Sequence, residues 1–386
     1  MNKEERVLNV LNRKPVDFLP SQITFSDRTR DKEVSEALGL SGPEELDDYL
    51  ENHIYFTYDN NDKHVFYRND LEVMEDLQKR GFAGIDYNLG IVYDCYGMGL
   101  QMHNDGVWAI YGALKHDEKL NKSAMKYLPP SFNRDLLSMN TEDAIKNYKT
   151  PDPEKDGTFN QMGEDLKKHS GDFLVIPSGY FGIFERAYAL MGFEEFMIDL
   201  IDRRNMVEEF LEKLTDYRVE EAKKKVALGF KVGHAGDDFG TQVAPFFSEK
   251  MFVEVFKPKL ARVFKVFKDA GLPVVMHSCG NITPYLPHLI DIGLDAWEPV
   301  QPCNDLEYIK KEYGQYLTFW GGIDTQRLPF MKPQEVKEMA RYTIRTLGKG
   351  GGHIIAPAQE IMSDVPIENV KALVETIIEE RKHAIE

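Results

Sequence analysis

Cysteine is scarce. Three residues among 386, Cys95, Cys279 and Cys303, are too few and too scattered for the disulfide framework of an extracellular protein, so a reducing, cytoplasmic compartment is expected. Long apolar runs are missing too: the chain nowhere offers the ~18 uninterrupted apolar residues that span a bilayer. Residues 1–6, Met-Asn-Lys-Glu-Glu-Arg, start a charged amphipathic helix rather than an apolar signal core. The Asn121-Lys122-Ser123 sequon is then a chance match. Positive charge is in deficit, with 64 Asp and Glu against 47 Lys and Arg and a formal charge of −17. Without a basic patch such a chain repels phosphate backbones and anionic lipid, which excludes nucleic acid and membrane surfaces as partners. Low-complexity tracts and fixed-period repeats are absent, so solenoids and propellers are excluded. The glycine cluster at 348–352 precedes a strand instead of following one, so it reads as a turn and not as a phosphate cradle.

What the chain has is a rhythm. Short runs rich in β-branched and aromatic residues lie at 173–176, 230–232, 274–276, 296–300, 317–320 and 353–356, each followed by a polar cluster and a helical pattern. Phe196, Leu200, Phe210 and Leu214 keep helical spacing in one connection, and Met251, Val255, Leu260 and Val263 in another. Successive strand–helix units mean parallel strands buried on both faces. A closed barrel is favoured over an open doubly wound sheet, whose glycine signature is missing. Residues 18–25 are expected as a first strand. Residues 91–112, rich in Gly, Tyr and Trp, are expected as inserted antiparallel strands, and 121–171 as a lid or connecting arm within a single domain, 1–386.

In parallel α/β folds the reactive side chains sit at the C-terminal strand ends. Reading those ends yields Tyr180, Phe181 and Glu185, then His234, Asp237 and Asp238, then His277 and Cys279, then Glu298, Gln301 and Cys303, then Asp324, and finally Gln359 and Glu360. His277-Ser278-Cys279 can put two ligands for one zinc ion on one side, with Glu298, Cys303, Glu360 or Asp238 as a further ligand. The alternative is a hydrogen-bonded histidine beside a small buried thiol. Asp237 and Asp238 are adjacent acids, and at least one should meet a cation, a substrate donor or solvent; either can instead fix a loop. Glu185 is expected to pair with Arg186 or a neighbouring helix. Cys95, Tyr93, Tyr96 and Trp108 are expected to pack, or to wall a pocket.

Five ordered blocks then resemble the uroporphyrinogen decarboxylase superfamily over nearly the whole length: Glu4-Glu5-Arg6-Val7-Leu8 with Asp17-Phe18-Leu19-Pro20; Phe184-Glu185-Arg186-Ala187 with Gly192-Phe193-Glu194; His277-Ser278-Cys279-Gly280-Asn281; Gly321-Gly322-Ile323-Asp324; and Ala356-Pro357 with Asp364-Val365-Pro366-Ile367-Glu368-Asn369. The resemblance implies a TIM-type (β/α)8 barrel with its site at the C-terminal mouth. Tetrapyrrole decarboxylases of this family carry an arginine-rich stretch near the first strand, whereas residues 21–30 here, Ser-Gln-Ile-Thr-Phe-Ser-Asp-Arg-Thr-Arg, lack that pattern. The resemblance therefore implies the branch of cobalamin-dependent methyltransferases, which hold zinc with a His-x-Cys pair and a later cysteine. His277 and Cys279 match the pair, but Gln359 stands where the later cysteine would be, with Glu360 beside it. A harder zinc, with Glu360 as further ligand and Glu298 as its rival, suits an oxygen leaving group. The expected activity is transfer of a methyl group from a small methylated donor, such as a phenyl methyl ether, to cobalamin carried by a partner corrinoid protein. Asp237, Asp238 and Glu298 are expected beside the chemistry, with Tyr180, Phe181, His234 and Gln359 against the donor and 91–112 as a rim. A porphyrinogen decarboxylase, a methylcobalamin-to-thiol enzyme, a non-catalytic relative and a homodimer all stay open.

Overall fold

The computed structural model describes all residues except 27, 103–106, 116, 180 and 384–386, and the side chains of all but 28, 29, 43 and 44 among the rest. Its strands in chain order are β1 (Ile54–Tyr58), β2 (Ala83–Asp86), β3 (Ile91–Asp94), β4 (Met98–Gln101), β5 (Ala109–Gly112), β6 (Leu174–Ser178), β7 (Gly233–Gly236), β8 (Val274–His277), β9 (Ala296–Val300), β10 (Thr318–Ile323) and β11 (His353–Pro357). β7 to β11 pair in parallel in sequence order, β1 pairs in parallel with β6, and β6 runs beside β7. The expected first strand closes the ring between β11 and β1. Its amides and carbonyls alternate with those of β11, Gln22 N–H donating to Ile355 O at 2.9 Å and Ile355 N–H to Pro20 O at 2.9 Å. Toward β1 one backbone bond remains, His53 N–H to Ser21 O at 3.1 Å, and side chains supply others: Ile54 N–H donates to Gln22 Oε1 at 2.9 Å, and Ile23 N–H to Asn52 Oδ1 at 2.8 Å. Eight staves with helices outside form the TIM-type barrel.

Two expectations shift. Ile54–Tyr58, a strand with no earlier expectation, carries the apolar and aromatic run Ile-Tyr-Phe-Thr-Tyr. The strand expected at 230–232 begins instead at Gly233, because close packing selects glycine there: a Cβ on Gly233 would meet the Phe267 ring at 2.2 Å. Helical spacing is otherwise realised as core. Phe196, Leu200, Phe210, Leu214, Val255, Leu260 and Val263 are all buried against the staves.

Between β1 and β6 the chain leaves the barrel to form the antiparallel sheet β2-β3-β4-β5, which starts earlier than expected, at Ala83. Tyr93, Cys95 and Tyr96 are packed there, but Trp108 is 64% exposed and does not join them. The sheet is pinned by Arg186, fully buried, which donates to Asp94 Oδ2 at 2.9 Å and to Asp62 Oδ1 at 2.8 Å. Residues 121–171 are not all lid. The helix Asn160–His169 covers β1 and β6 from outside, with Thr57 Oγ1 donating to Asp165 at 2.6 Å and His169 stacked on Tyr55 at 3.8 Å. Among the described residues no helix is long and apolar enough to cross a membrane.

Candidate active site at the barrel mouth

The C-terminal ends of the staves surround a cavity of about 180 Å³. Ser178 comes from β6, His234 and Gly236 from β7, His277 from β8, Glu298 from β9, Trp320 from β10, and Ala356 and Pro357 from β11; Asp238, Gln359 and Glu360 follow their strands directly. A wider cavity of about 570 Å³ shares Phe66, Gln359 and Glu360 with the first and is edged by Val107, Cys303, Asp324 and Phe330.

At the polar end of the inner cavity, His277 Nδ1–H donates to Glu298 Oε2 at 2.6 Å. That bond fixes the tautomer and leaves Nε2 facing Asp238 Oδ1 at 3.4 Å and Cys279 Sγ at 3.6 Å. Asp238 Oδ1 also accepts the Cys279 N–H at 2.8 Å, so the aspartate and the cysteine are held in one register. The ligand atoms of Asp238, His277 and Cys279 all lie within 4.8 Å of one another. One nitrogen, one sulfur and one oxygen, with the ring's other nitrogen tied to a carboxylate, fit a zinc ion with a position left open. Burial works against a charged His277, but Glu298, Cys279 and Asp238 overcome it and raise the imidazole well above its usual range. Burial and the Asp238 charge push the Cys279 thiol up to about 12, so a metal here would displace protons as it binds.

The expected site residues are sorted by this geometry. Asp238 is in the ligand group, while Glu360 is not; Glu360 lines the cavity, and burial pushes its carboxyl up to about 7. Glu298 holds His277 rather than facing the donor as a lone acid. Gln359 brings Oε1 to 3.6 Å from Cys279 Sγ, so the residue at the position of the family's later cysteine does reach the group. Asp237 is turned away. Neighbouring side chains on an extended chain point to opposite sides, and its oxygens accept the backbone N–H groups of Ile183, Phe184 and Glu185, each at 2.8 Å. It caps the helix Phe184–Met191 instead of entering the cavity. Phe181 and His234 line the cavity; His234 is buried, pushed down to about 3 by burial and the nearby Lys225 and His277 charges, and its Nδ1 has no partner. Tyr180 lies outside the described residues.

Glu185 was read at a strand end but expected to pair with Arg186 or a neighbouring helix, and that pairing is not made. Arg186 is taken by Asp62 and Asp94, and Glu185 faces the cavity, where burial and Asp238 raise its carboxyl well above the ordinary range. The apolar walls were missed as well. Phe56 stacks on Trp320 at 5.8 Å and Tyr58 on Phe66 at 3.9 Å. Phe56 and Trp320 lie in strands whose apolar runs look like ordinary core, and only the barrel register turns them into the mouth.

Residues 126–380 match the family model described as Uroporphyrinogen decarboxylase (URO-D). The chain belongs to this family. It is 23% identical over 173 residues to the uroporphyrinogen decarboxylase of Psychromonas ingrahamii, covering 44% of this chain and 47% of that protein. It is 24% identical over 211 residues to the methylcobamide:CoM methyltransferase of Methanosarcina barkeri, covering 54% of this chain and 59% of that protein. The chain thus spans about half the length of these curated URO-D relatives. A methyltransferase from Methanosarcina mazei shares the fold, with a TM-score of 0.59 at 19% identity over 98% of this chain and 99% of the other. Decarboxylases and methyltransferases therefore stand at similar distance within the URO-D relatives, and the choice between them rests on the site.

Proposed function

We propose that this URO-D protein is a cytoplasmic corrinoid-dependent methyltransferase that moves a methyl group from a small aryl methyl ether to the cobalamin of a partner corrinoid protein. The observation that carries the reading is the Asp238, His277 and Cys279 group at the end of a small aromatic cavity. A porphyrinogen decarboxylase must neutralise several substrate carboxylates, and the described residues lining this cavity include no Lys or Arg. That disfavours decarboxylation.

Zinc, held by His277, Cys279 and Asp238 with Gln359 beside them, would supply a Lewis acid for the ether oxygen, and the partner's corrinoid would supply the methyl acceptor. The chain's own residues do the rest. Glu298 keeps the His277 ring in one orientation. The stacked pairs Phe56–Trp320 and Tyr58–Phe66 give the aryl ring flat surfaces and exclude water from the methyl carbon. As the carbon–oxygen bond breaks with its electron pair on the phenol oxygen, Glu185 in the wall is the acid placed to give that oxygen a proton. The wider outer cavity gives the partner's bulky group a way in. A methylcobalamin-to-thiol reaction is the second reading, favoured by the same His-x-Cys pair but not by Gln359 in place of a thiolate.

Mixing the purified protein with a reduced corrinoid protein and a panel of methyl ethers and methyl thiols tests this, the change in corrinoid absorbance reporting transfer. Transfer from ethers is expected. No change with any donor, together with carbon dioxide release from a porphyrinogen, would overturn the proposal.

A further inference from the structure

The inner cavity has room for one ring. An apolar cavity of about 150 Å³ is enough for benzene, so about 180 Å³ here leaves space for a methoxy group and little else. The walls differ in how they are built. Phe56 and Trp320 belong to staves and stack on each other, and Tyr58 stacks on Phe66. Phe181 lies instead on the loop after β6, 5% exposed, and lines the cavity with a backbone φ of 54°. That left-handed conformation is uncommon for a residue with a side chain and easy for glycine. Phenylalanine nevertheless occupies it. Arg218 Nη2 donates to Phe181 O at 2.6 Å, Gly182 packs so closely on Gly236 O that a Cβ would lie 2.0 Å away, and Ile183 N–H is fixed to Asp237 Oδ2 at 2.8 Å. Strain persists where surrounding contacts over-determine it in this way. The ring so held lines the cavity, and the Arg186 guanidinium carbon stands 5.0 Å from its centre. Arg186 and Arg218 both hold the buried Asp62. Phe181 therefore stands between the cavity and a region of buried ion pairs.

We infer that Phe181 is a specificity-determining residue: its ring ends the inner cavity on the side of Arg186 and restricts the donor to a single aromatic ring. This rests on the methyltransferase reading for its substrate class, but binding and turnover can be separated. Calorimetric titration of the purified protein with 4-methoxyphenol and with 6-methoxy-2-naphthol, which carries the same two substituents on two fused rings, needs no corrinoid partner. The wild type is expected to bind the phenol at least about tenfold more tightly than the naphthol, and Phe181→Ala and Phe181→Gly should each raise the ratio of naphthol to phenol affinity by at least about tenfold. Stability supplies a second readout. Glycine ordinarily melts below alanine because its unfolded chain has more freedom, so Phe181→Gly melting at or above Phe181→Ala is the signature of a backbone strained to place this ring. Phe181→Leu, which keeps an apolar side chain, should move the ratio in the same direction and serves where either truncation fails to fold. Equal binding of the naphthol by the wild type overturns the inference, as does absence of binding by 4-methoxyphenol, a ratio unchanged in every folded variant, or Phe181→Gly melting clearly below Phe181→Ala. If the size limit behaves as expected but no donor methylates the corrinoid, the limit stands and the methyltransferase reading fails alone.

Discussion

Two regions of this molecule bury carboxylates, and they solve the problem in opposite ways. Beneath the inserted sheet, Asp62, Asp94 and Glu221 are met by Arg186, Arg218 and Lys225 at 2.6 to 3.4 Å. At the barrel mouth, Asp238, Glu298, Glu185 and Glu360 share the wall with His277, His234 and the Cys279 thiol beside them. The first region contains a group, Asp59, Asp62 and Glu221, whose oxygens are as close as those of the metal candidate at the mouth. Side-chain cations already hold Asp62 and Glu221 there, and burial with those two acids raises the Asp59 carboxyl well above the ordinary range, so the group is a structural joint. Acids whose counter-charge the chain does not itself supply mark the place where something else must bind.

The sharpest way to break this comparison is to remove a cation from the joint. Arg186→Met would leave Asp62 and Asp94 buried without their main partner and should cost about 3–5 kcal/mol of stability, read as a fall in the denaturant midpoint. A loss under 1 kcal/mol, about the value of an exposed pair, would mean the joint carries little of the fold. Removing a ligand at the mouth should do the reverse. Cys279→Ala is expected to abolish stoichiometric zinc and lower turnover at least ~10²-fold while leaving the melting temperature of the metal-free protein within a few degrees. Full zinc retention in that variant would dismiss the assignment. Metal affinity should also rise with pH. His277 is raised and Cys279 stands at about 12 in the empty group, so the ion competes with protons across the neutral range and gains as they leave. A flat or falling affinity between pH 6 and 9, roughly the span in which such competition is measurable, would remove the thiolate from the ligand set.

Much of this was readable beforehand, and the failures have physical causes. Strand ends locate chemistry in any parallel barrel, so His277, Cys279, Asp238, His234 and Gln359 could be placed at the mouth from spacing alone. Glu185 could not. Its neighbour Arg186 looks like an obvious partner along the sequence, and only the folded chain shows that guanidinium bound to Asp62 and Asp94 across 124 and 92 residues. Asp237 and Asp238 were indistinguishable as a pair until the backbone alternation sent one to the helix cap and the other to the ligand group. The stave at residues 18–25 was expected as a strand, but Gln22 and Asn52 supply much of its join to β1 with side-chain bonds that no β-propensity records.

Glu298 separates holding a ligand from being one. Its bond to His277 Nδ1 orients the ring but leaves the ligand atoms untouched. Glu298→Gln keeps the shape and weakens that bond, so zinc affinity should fall about 10- to 100-fold without loss of stoichiometry at saturating metal. Loss of the ion altogether at saturation would make Glu298 a ligand in its own right.

The smallest expected effect belongs to the aspartate next to the ligand. Asp237 takes three backbone N–H groups at the start of the helix Phe184–Met191 and contributes nothing to the inner cavity. In Asp237→Asn one oxygen remains to accept, while the new amide meets donors with a donor, so the variant should lose about 1–2 kcal/mol, the range of a removed helix cap. Zinc content and turnover at a temperature well below melting should stay near wild type. Asp238→Asn is the matched control, since it should keep its stability and lose metal affinity. If Asp237→Asn instead loses turnover by ~10²-fold with its zinc and melting temperature intact, a loss of the size seen for a missing acid or base, the cap is not its whole role and the two aspartates act together on the donor.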